Sequence, residues 1–390
     1  MSDSVLLAKT AERLRRIPGF MAYELDTYRQ VTTADPATDF GLPEHALVTL
    51  ALCRRPRAEH FAVDLAAIAA KAGTETDRVA NFVRAVHAVT ALGSRRASVA
   101  GGVRDRGLLA AARDHADEHT VIEGPDGSGV TLPGWLQAAV DRFWGVTDKI
   151  TTIPRELHLP ILANLPLAIV EIEDLTVQNM DQWLAQRHLP ELETVQDRPL
   201  RGCLLAYVGV GLLFVDRADD DQQRRVTLAH EAAHFVIDYL LPREDAARRR
   251  PELLDVLDGE RELTAVESFD ALLADVPTGF HTHLLERDPH GGHLSVVTSA
   301  VEERAERLAL ELLAPLDLVL TELQEGGPMD AQQILRDNFG LPAGIATRYA
   351  NQIARYHPRP PHTLLEAIGL ASDDNDEGTP GEGNRPEVER

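Results

Sequence analysis

Two histidines four residues apart, with a glutamate directly after the first, stand in "RRVTLAHEAAHFVID" at positions 224–238: His230, Glu231 and His234. On an α-helix that spacing turns the chain through about 400°, so both imidazoles leave one face within about 40° of each other. They can share one cation, and Glu231, about 100° further round, can take a proton from a water that the cation activates. Thr227, Leu228, Ala232, Ala233, Phe235 and Val236 are uncharged, so the helix is expected to be buried around its polar residues. Buried imidazoles and a buried carboxylate need partners, and a metal ion supplies one.

A catalytic zinc takes three protein ligands and leaves a fourth position to water. The third is expected from "VEERAERLALELLAP" (301–315). There Ala305, Leu308, Ala309, Leu312 and Leu313 recur at helical spacing and define a buried face. Glu302 lies about 50° from the centre of that face, Glu306 about 90°, and Glu303 and Glu311 well beyond. Glu302 is the expected ligand. Glu306, one turn on, has two readings: an acceptor that orients a ligating histidine through its other ring nitrogen, or a solvated residue at the stripe's edge.

Both segments resemble one family. "RRVTLAHEAAHFVID" resembles the R-x-F-T-L-A-H-E-L-G-H signature of the ImmA/IrrE metallopeptidases, and "VEERAERLALELLAP" their second motif, E-x-E-A-N-x-F-A-x-x-L-L-M-P. The resemblance spans roughly 160–345 and includes "ILRDNFGLPAGIATRYANQI" (334–353), similar to the family's short helical segment after the proteolytic core. It too implies Glu302 as third ligand. It also implies a cytoplasmic zinc-dependent endopeptidase, with manganese as the alternative metal. The implied substrate is a helix-turn-helix repressor whose cleavage induces stress, mobile-element or anti-phage genes. Ala233 stands where the family has Gly, Glu306 where it has Asn or Asp, and Ala314 where it has Met; none of these removes a ligand.

The chain between His234 and Glu302 is longer than the family's usual one, with a polar insert from about 242 to 297. Its "FHTHLLERDPHGGHL" holds His281, His283, His290 and His293. The favoured reading is an exposed Gly/Pro loop with solvated histidines; the other is a cap that stabilises an oxyanion or binds a second metal. Tyr239, His281 and His283 are therefore open as oxyanion or lid groups. In hydrolysis Glu231 would take a proton from water and deliver it to the leaving amine, with the peptide extended along a hairpin edge. The rival is a non-catalytic regulator, stapled by metal, that binds DNA or a repressor. Glu231 favours chemistry, since a purely structural site has no need of a carboxylate beside its ligands.

The elements that must position these residues are legible in outline. "LAIVEI" (167–172) reads as a strand, 180–186 as a short helix, and "GCLLAYVGVGLLFVD" (202–216) as a hairpin broken at Val-Gly-Val-Gly. The expected class is α+β: mainly helical, with a small zincin-like sheet packed on the metal-binding helices and a helical N-terminal domain. In that domain (1–120) "VDLAAIAAKAGTETDRVANFVRAVHAVTAL" places a Gly turn between two helices, as a helix-turn-helix would. "GSRRASVAGGVRDR" then supplies arginines, among them Arg95 and Arg96. The second helix lacks a cluster of Asn, Gln or Lys for base edges, so DNA contact is one reading and protein contact the other. "VIEGPDGSGVTLPG" (121–134) reads as a linker or exposed loop. The metallopeptidase-like domain is expected over 121–325, a helical segment over 326–370 and a disordered acidic tail over 371–390.

Composition sets the limits. At 390 residues, 44% hydrophobic and 26% charged, the chain is a globular one with room for two or three domains. A net charge of −23 argues against broad nucleic-acid binding. No apolar run approaches the roughly 20 residues that span a bilayer, and "MSDSVLLAKTAERLRR" reads as an amphipathic helix rather than a secretory signal. Cys53 and Cys203 are expected as two thiols, in keeping with a cytoplasmic location.

Overall fold

The computed structural model describes residues 3–99, 121–123, 129–145, 147, 149–192, 196–261, 264, 267, 271, 276, 277, 279–286, 296–325 and 330–356. Helices come first: α1 (Asp3–Leu14), α2 (Met21–Thr32), α3 (Pro36–Asp39), α4 (Glu44–Leu52), α5 (Phe61–Ala72) and α6 (Thr76–Val99). Strands β1 (Val121–Glu123) and β2 (Gly129–Thr131) pair antiparallel, so the two ends of the stretch read as a loop join each other. Next are α7 (Gly134–Trp144), α8 (His158–Asn164), β3 (Leu167–Ile172), α9 (Val177–Gln186), β4 (Leu200–Tyr207), β5 (Val210–Asp216) and α10 (Asp221–His234). After them come α11 (Leu241–Arg249), α12 (Leu254–Leu257), β6 (His281–Glu286), α13 (Val296–Leu313), α14 (Leu316–Glu325), α15 (Ala331–Asp337) and α16 (Ala343–Tyr356). The class is α+β, mainly helical, with a small mixed sheet.

That sheet has the order β3-β5-β4-β6. β5 runs parallel to β3 and antiparallel to β4, while β6 is antiparallel to β4, with His283 opposite Leu204 and His281 opposite Ala206. The β4–β5 turn takes positive φ at both Val208 (42°) and Gly209 (83°), the geometry that matches strand twist in a two-residue hairpin. Gly209 accepts this freely and β-branched Val208 does not. The buried Tyr239 hydroxyl helps to hold the turn by accepting the Gly209 N–H at 2.8 Å. Both outer sides of the hairpin are already paired. The expected open hairpin edge is therefore absent, because β6 covers β4.

The helices before residue 100 share one hydrophobic core with the sheet, continuous from Met21 to Ile353. Val79, Phe82, Val83, Val86 and Val89 of α6 are buried against it. Between them Asn81 donates to the Ile169 carbonyl and accepts the Ile169 N–H, both at 2.8 Å, so its amide closes the side of β3 that β5 leaves unpaired. Arg84 donates to the carbonyls of Leu162 and Ala163 near the end of α8. The Gly73 turn thus joins two helices, and the inner face of the second holds the sheet. The side chains of Arg95 and Arg96 lie outside the described residues, as do residues 371–390.

The insert after α10 is more structured than its polarity suggests. Its first part is α11 and α12, with a small core of Ala246, Leu253, Leu257, Ala271 and Val276, and its later part supplies β6. Between α10 and α11 the chain makes a π-helical turn, Phe235–Leu240, in which the Leu241 N–H bonds to the Val236 carbonyl five residues back. Pro242 explains it: proline has no N–H to give, and its ring would crowd the carbonyl four residues behind in a regular helix.

Candidate metal centre

Helix α10 begins at Asp220, whose carboxylate accepts the Gln223 N–H at 2.8 Å as an N-cap. It then passes close over β4 at Gly202. A Cβ there would stand 2.6 Å from Thr227 Cγ2 and 3.1 Å from Glu231 Cγ, so only glycine allows the approach. The same approach buries Glu231 completely (0% exposed). Helix α13 packs along α10 and brings Glu302 to the histidines.

The donor atoms converge. His230 Nε2 and His234 Nε2 are 3.1 Å apart, and Glu302 Oε2 lies 3.2 Å from the first and 3.6 Å from the second. A tetrahedral ion with bonds of about 2.0–2.1 Å needs donor separations of about 3.3–3.4 Å, so this triangle has the dimensions of one face of such a site. Three hard or borderline donors, two imidazoles and a carboxylate, suit a divalent cation chemically. His283 joins them: one ligating atom from each of His230, His234, His283 and Glu302 can be chosen so that all lie within 4.8 Å of one another.

Partners behind the donors fix their orientation. His234 Nδ1 is 2.6 Å from Asp238 Oδ2, the carboxylate–histidine arrangement that orients a ligating ring. His283 Nδ1 is 3.0 Å from Glu231 Oε2 and its Nε2 is 3.0 Å from Glu302 Oε1. The other Glu231 oxygen, Oε1, is buried and has no hydrogen-bond partner among the described residues.

Charge and burial compete across this cluster. Burial alone would raise the Glu231 carboxyl, but the positive charge and hydrogen bond of His283, with His230 and His234, hold it below its ordinary value. Burial likewise opposes a charged His283, yet Glu231 and Glu302 outweigh it and push the ring up to about 10. His230 is lowered chiefly by burial, and His281, also desolvated, falls to about 4. The site thus calls for positive charge between Glu231 and Glu302, which either a proton or a cation can provide.

The sequence-derived residues divide accordingly. His230, His234 and Glu302 come together, with Glu231 beside them. Glu306 does not join: its Oε1 accepts from Arg348 of α16, at 3.3 Å from Nε and 2.7 Å from the second guanidinium nitrogen. Asp238 takes the orienting role instead. The spacing rule that paired His230 with His234 also pairs His234 with Asp238 four residues on, a signal sequence reasoning missed. The Tyr239 hydroxyl accepts the Gly209 N–H of the hairpin turn. His281 and His283 are not solvated loop residues, as the favoured reading had them. They sit on β6, with His281 Nε2 buried beside the Tyr239 ring and without a partner among the described residues, and His283 among the candidate donors. His290 and His293 lie outside the described residues. Cys53 and Cys203 are free thiols. Among the described residues no helix is long and apolar enough to cross a membrane.

Compared with protein-family models, curated proteins and solved structures, the chain finds no match.

Proposed function

We propose that this protein is a zinc-dependent endopeptidase with a zincin-like arrangement of sheet and metal helices. The observation that carries the reading is the triangle of His230, His234 and Glu302 donors beside a fully buried Glu231. A divalent cation held by that triangle would supply Lewis acidity, lowering the pKa of a water and polarising a carbonyl. Glu231, kept ionised by its neighbours, is the proton acceptor: it takes the water's proton and passes it to the leaving amine. Asp238 holds His234 in its ligating orientation. Gly202 sets the depth at which Glu231 stands. The substrate class, a helix-turn-helix repressor in the cytoplasm, rests on the motif resemblance of 224–238 and 301–315.

One observation favours a second reading. With His283 the cluster offers four protein donors, as closed structural metal sites do, and Glu231 then serves as acceptor for His283. A metal-stapled regulator would look like this. Glu231→Gln separates the two. As a peptidase, the variant keeps its metal, binds its repressor and loses about 10²- to 10⁴-fold in cleavage rate. His230→Ala and Glu302→Ala lose metal altogether, while Glu303→Ala keeps it. Repressor cleavage by Glu231→Gln at the wild-type rate would overturn the peptidase reading.

A further inference from the structure

His283 stands where the reacting groups would have to meet. Three corners of a tetrahedron belong to His230, His234 and Glu302, and the remaining corner must face the base if the base is to act. The His283 ring spans that space, 3.0 Å from Glu231 on one side and 3.0 Å from Glu302 on the other. It also stacks on His234, with centroids 3.6 Å apart and planes 24° from parallel. From this arrangement we infer that His283 is an internal ligand for the open coordination corner, held in place by strand β6, so that the structure is a latent form of the enzyme. The inference rests on the peptidase reading above.

The chemistry suits the role. A neutral imidazole is a stronger zinc ligand than water, and a carboxylate behind its other ring nitrogen raises its basicity further. Glu231 supplies that carboxylate. One side chain therefore blocks both parts of the machinery: its Nε2 fills the corner and its Nδ1 engages the base. The remaining Glu231 oxygen is buried beside the bare backbone of Gly202.

The mounting suits it too. His230, His234 and Glu302 sit on two helices packed together in the core, whereas His283 sits on a strand that, among the described residues, is bonded to β4 alone. Its neighbour Thr282 is exposed. An internal ligand on such a strand competes by effective concentration, which geometry can switch off without altering the other three donors. Displacing β6 from β4 would free the corner, release Glu231 and uncover the β4 edge in one movement.

The full-length protein loaded with cobalt in place of zinc reads this directly, because its visible spectrum reports coordination number. Acetohydroxamate is the probe for an open corner. Wild type should bind one cobalt per chain and take up hydroxamate weakly. His283→Ala should keep one cobalt and bind hydroxamate about tenfold or more tightly, with the spectrum moving to five-coordination. His283→Gln, which retains the strand's bulk and polarity, should behave in the same way and guards against misfolding of the alanine variant. Equal hydroxamate affinity in all three proteins would overturn the proposal. So would loss of cobalt from both variants, which would make His283 an obligatory ligand. A wild type that takes no cobalt would sink the metal site beneath both readings. An opened corner in variants that cleave no repressor would uphold the internal ligand and overturn the peptidase reading.

Discussion

Helix α10 and strand β6 both deliver histidines to the same small space, but they are held in opposite ways. α10 is clasped between the sheet and α13, with Glu231 fully buried and no room for even one carbon atom at Gly202. β6 has, among the described residues, a single hydrogen-bonded neighbour and an exposed Thr282 beside its candidate donor. The difference teaches where rigidity comes from in this centre. Donors on α10 are placed by packing, which is dense and intolerant of shifts; the donor on β6 is placed largely by the partners it finds there.

The contrast breaks first at Gly202. Gly202→Ala forces a carbon into Thr227 and should destabilise the fold by about 1–3 kcal/mol, whereas Thr282→Ala on β6 should stay within about 0.5 kcal/mol. Urea unfolding of both variants checks this, and equal effects would erase the distinction. Asp238→Asn sharpens the comparison by asking whether packing alone aims His234. Metal affinity, measured by chelator competition, should fall about 10- to 100-fold, with no change for Glu306→Ala. Unaltered affinity in Asp238→Asn would mean that the helix needs no help.

The smallest effect tests the packing of α13. Burial pushes the Glu311 carboxyl on that helix up to about 7, with the Leu316 N–H bond opposing the shift. Because the folded value is raised, the stability it contributes is full below the ordinary value of 4.5 and is lost as pH climbs through about 7. Glu311→Gln should therefore be more stable than wild type at pH 8 by about 1–2 kcal/mol, with the gain shrinking toward pH 5. Thermal melts at the two values decide it, and a gain independent of pH would show that Glu311 is not desolvated.

How much of this was readable beforehand follows from the same contrast. His230, Glu231, His234 and Glu302 were legible because a helix announces itself by period, and its apolar stripe states which way each carboxylate points. The hairpin was legible from its glycine break. β6 was not: its inward positions include His281 and His283, turned toward a polar centre rather than a core, so the usual alternation of apolar and polar residues is lost. Flanking Gly, Pro and Asp then made the segment read as a loop. Glu306 stood at a stripe's edge, and only the position of Arg348 on α16 decides which way it turns. For α6, the helix itself was legible, but the bidentate hold of Asn81 on Ile169 depends on a strand far along the chain. Contacts of that range leave no local trace.

The π-helical turn at Phe235–Leu240 acts as a phase shifter. An extra residue in a helical turn rotates everything downstream by about 100° relative to an uninterrupted α-helix. His230 and His234 lie before the turn, while Arg243, which donates to the Leu257 carbonyl and Asp258, lies after it. The two halves of one continuous rod can thus address different directions, one toward the donors and the other toward the insert that leads to β6. Losing a single residue from the turn would take away that angular offset and swing the insert's anchor away from its own binding partners.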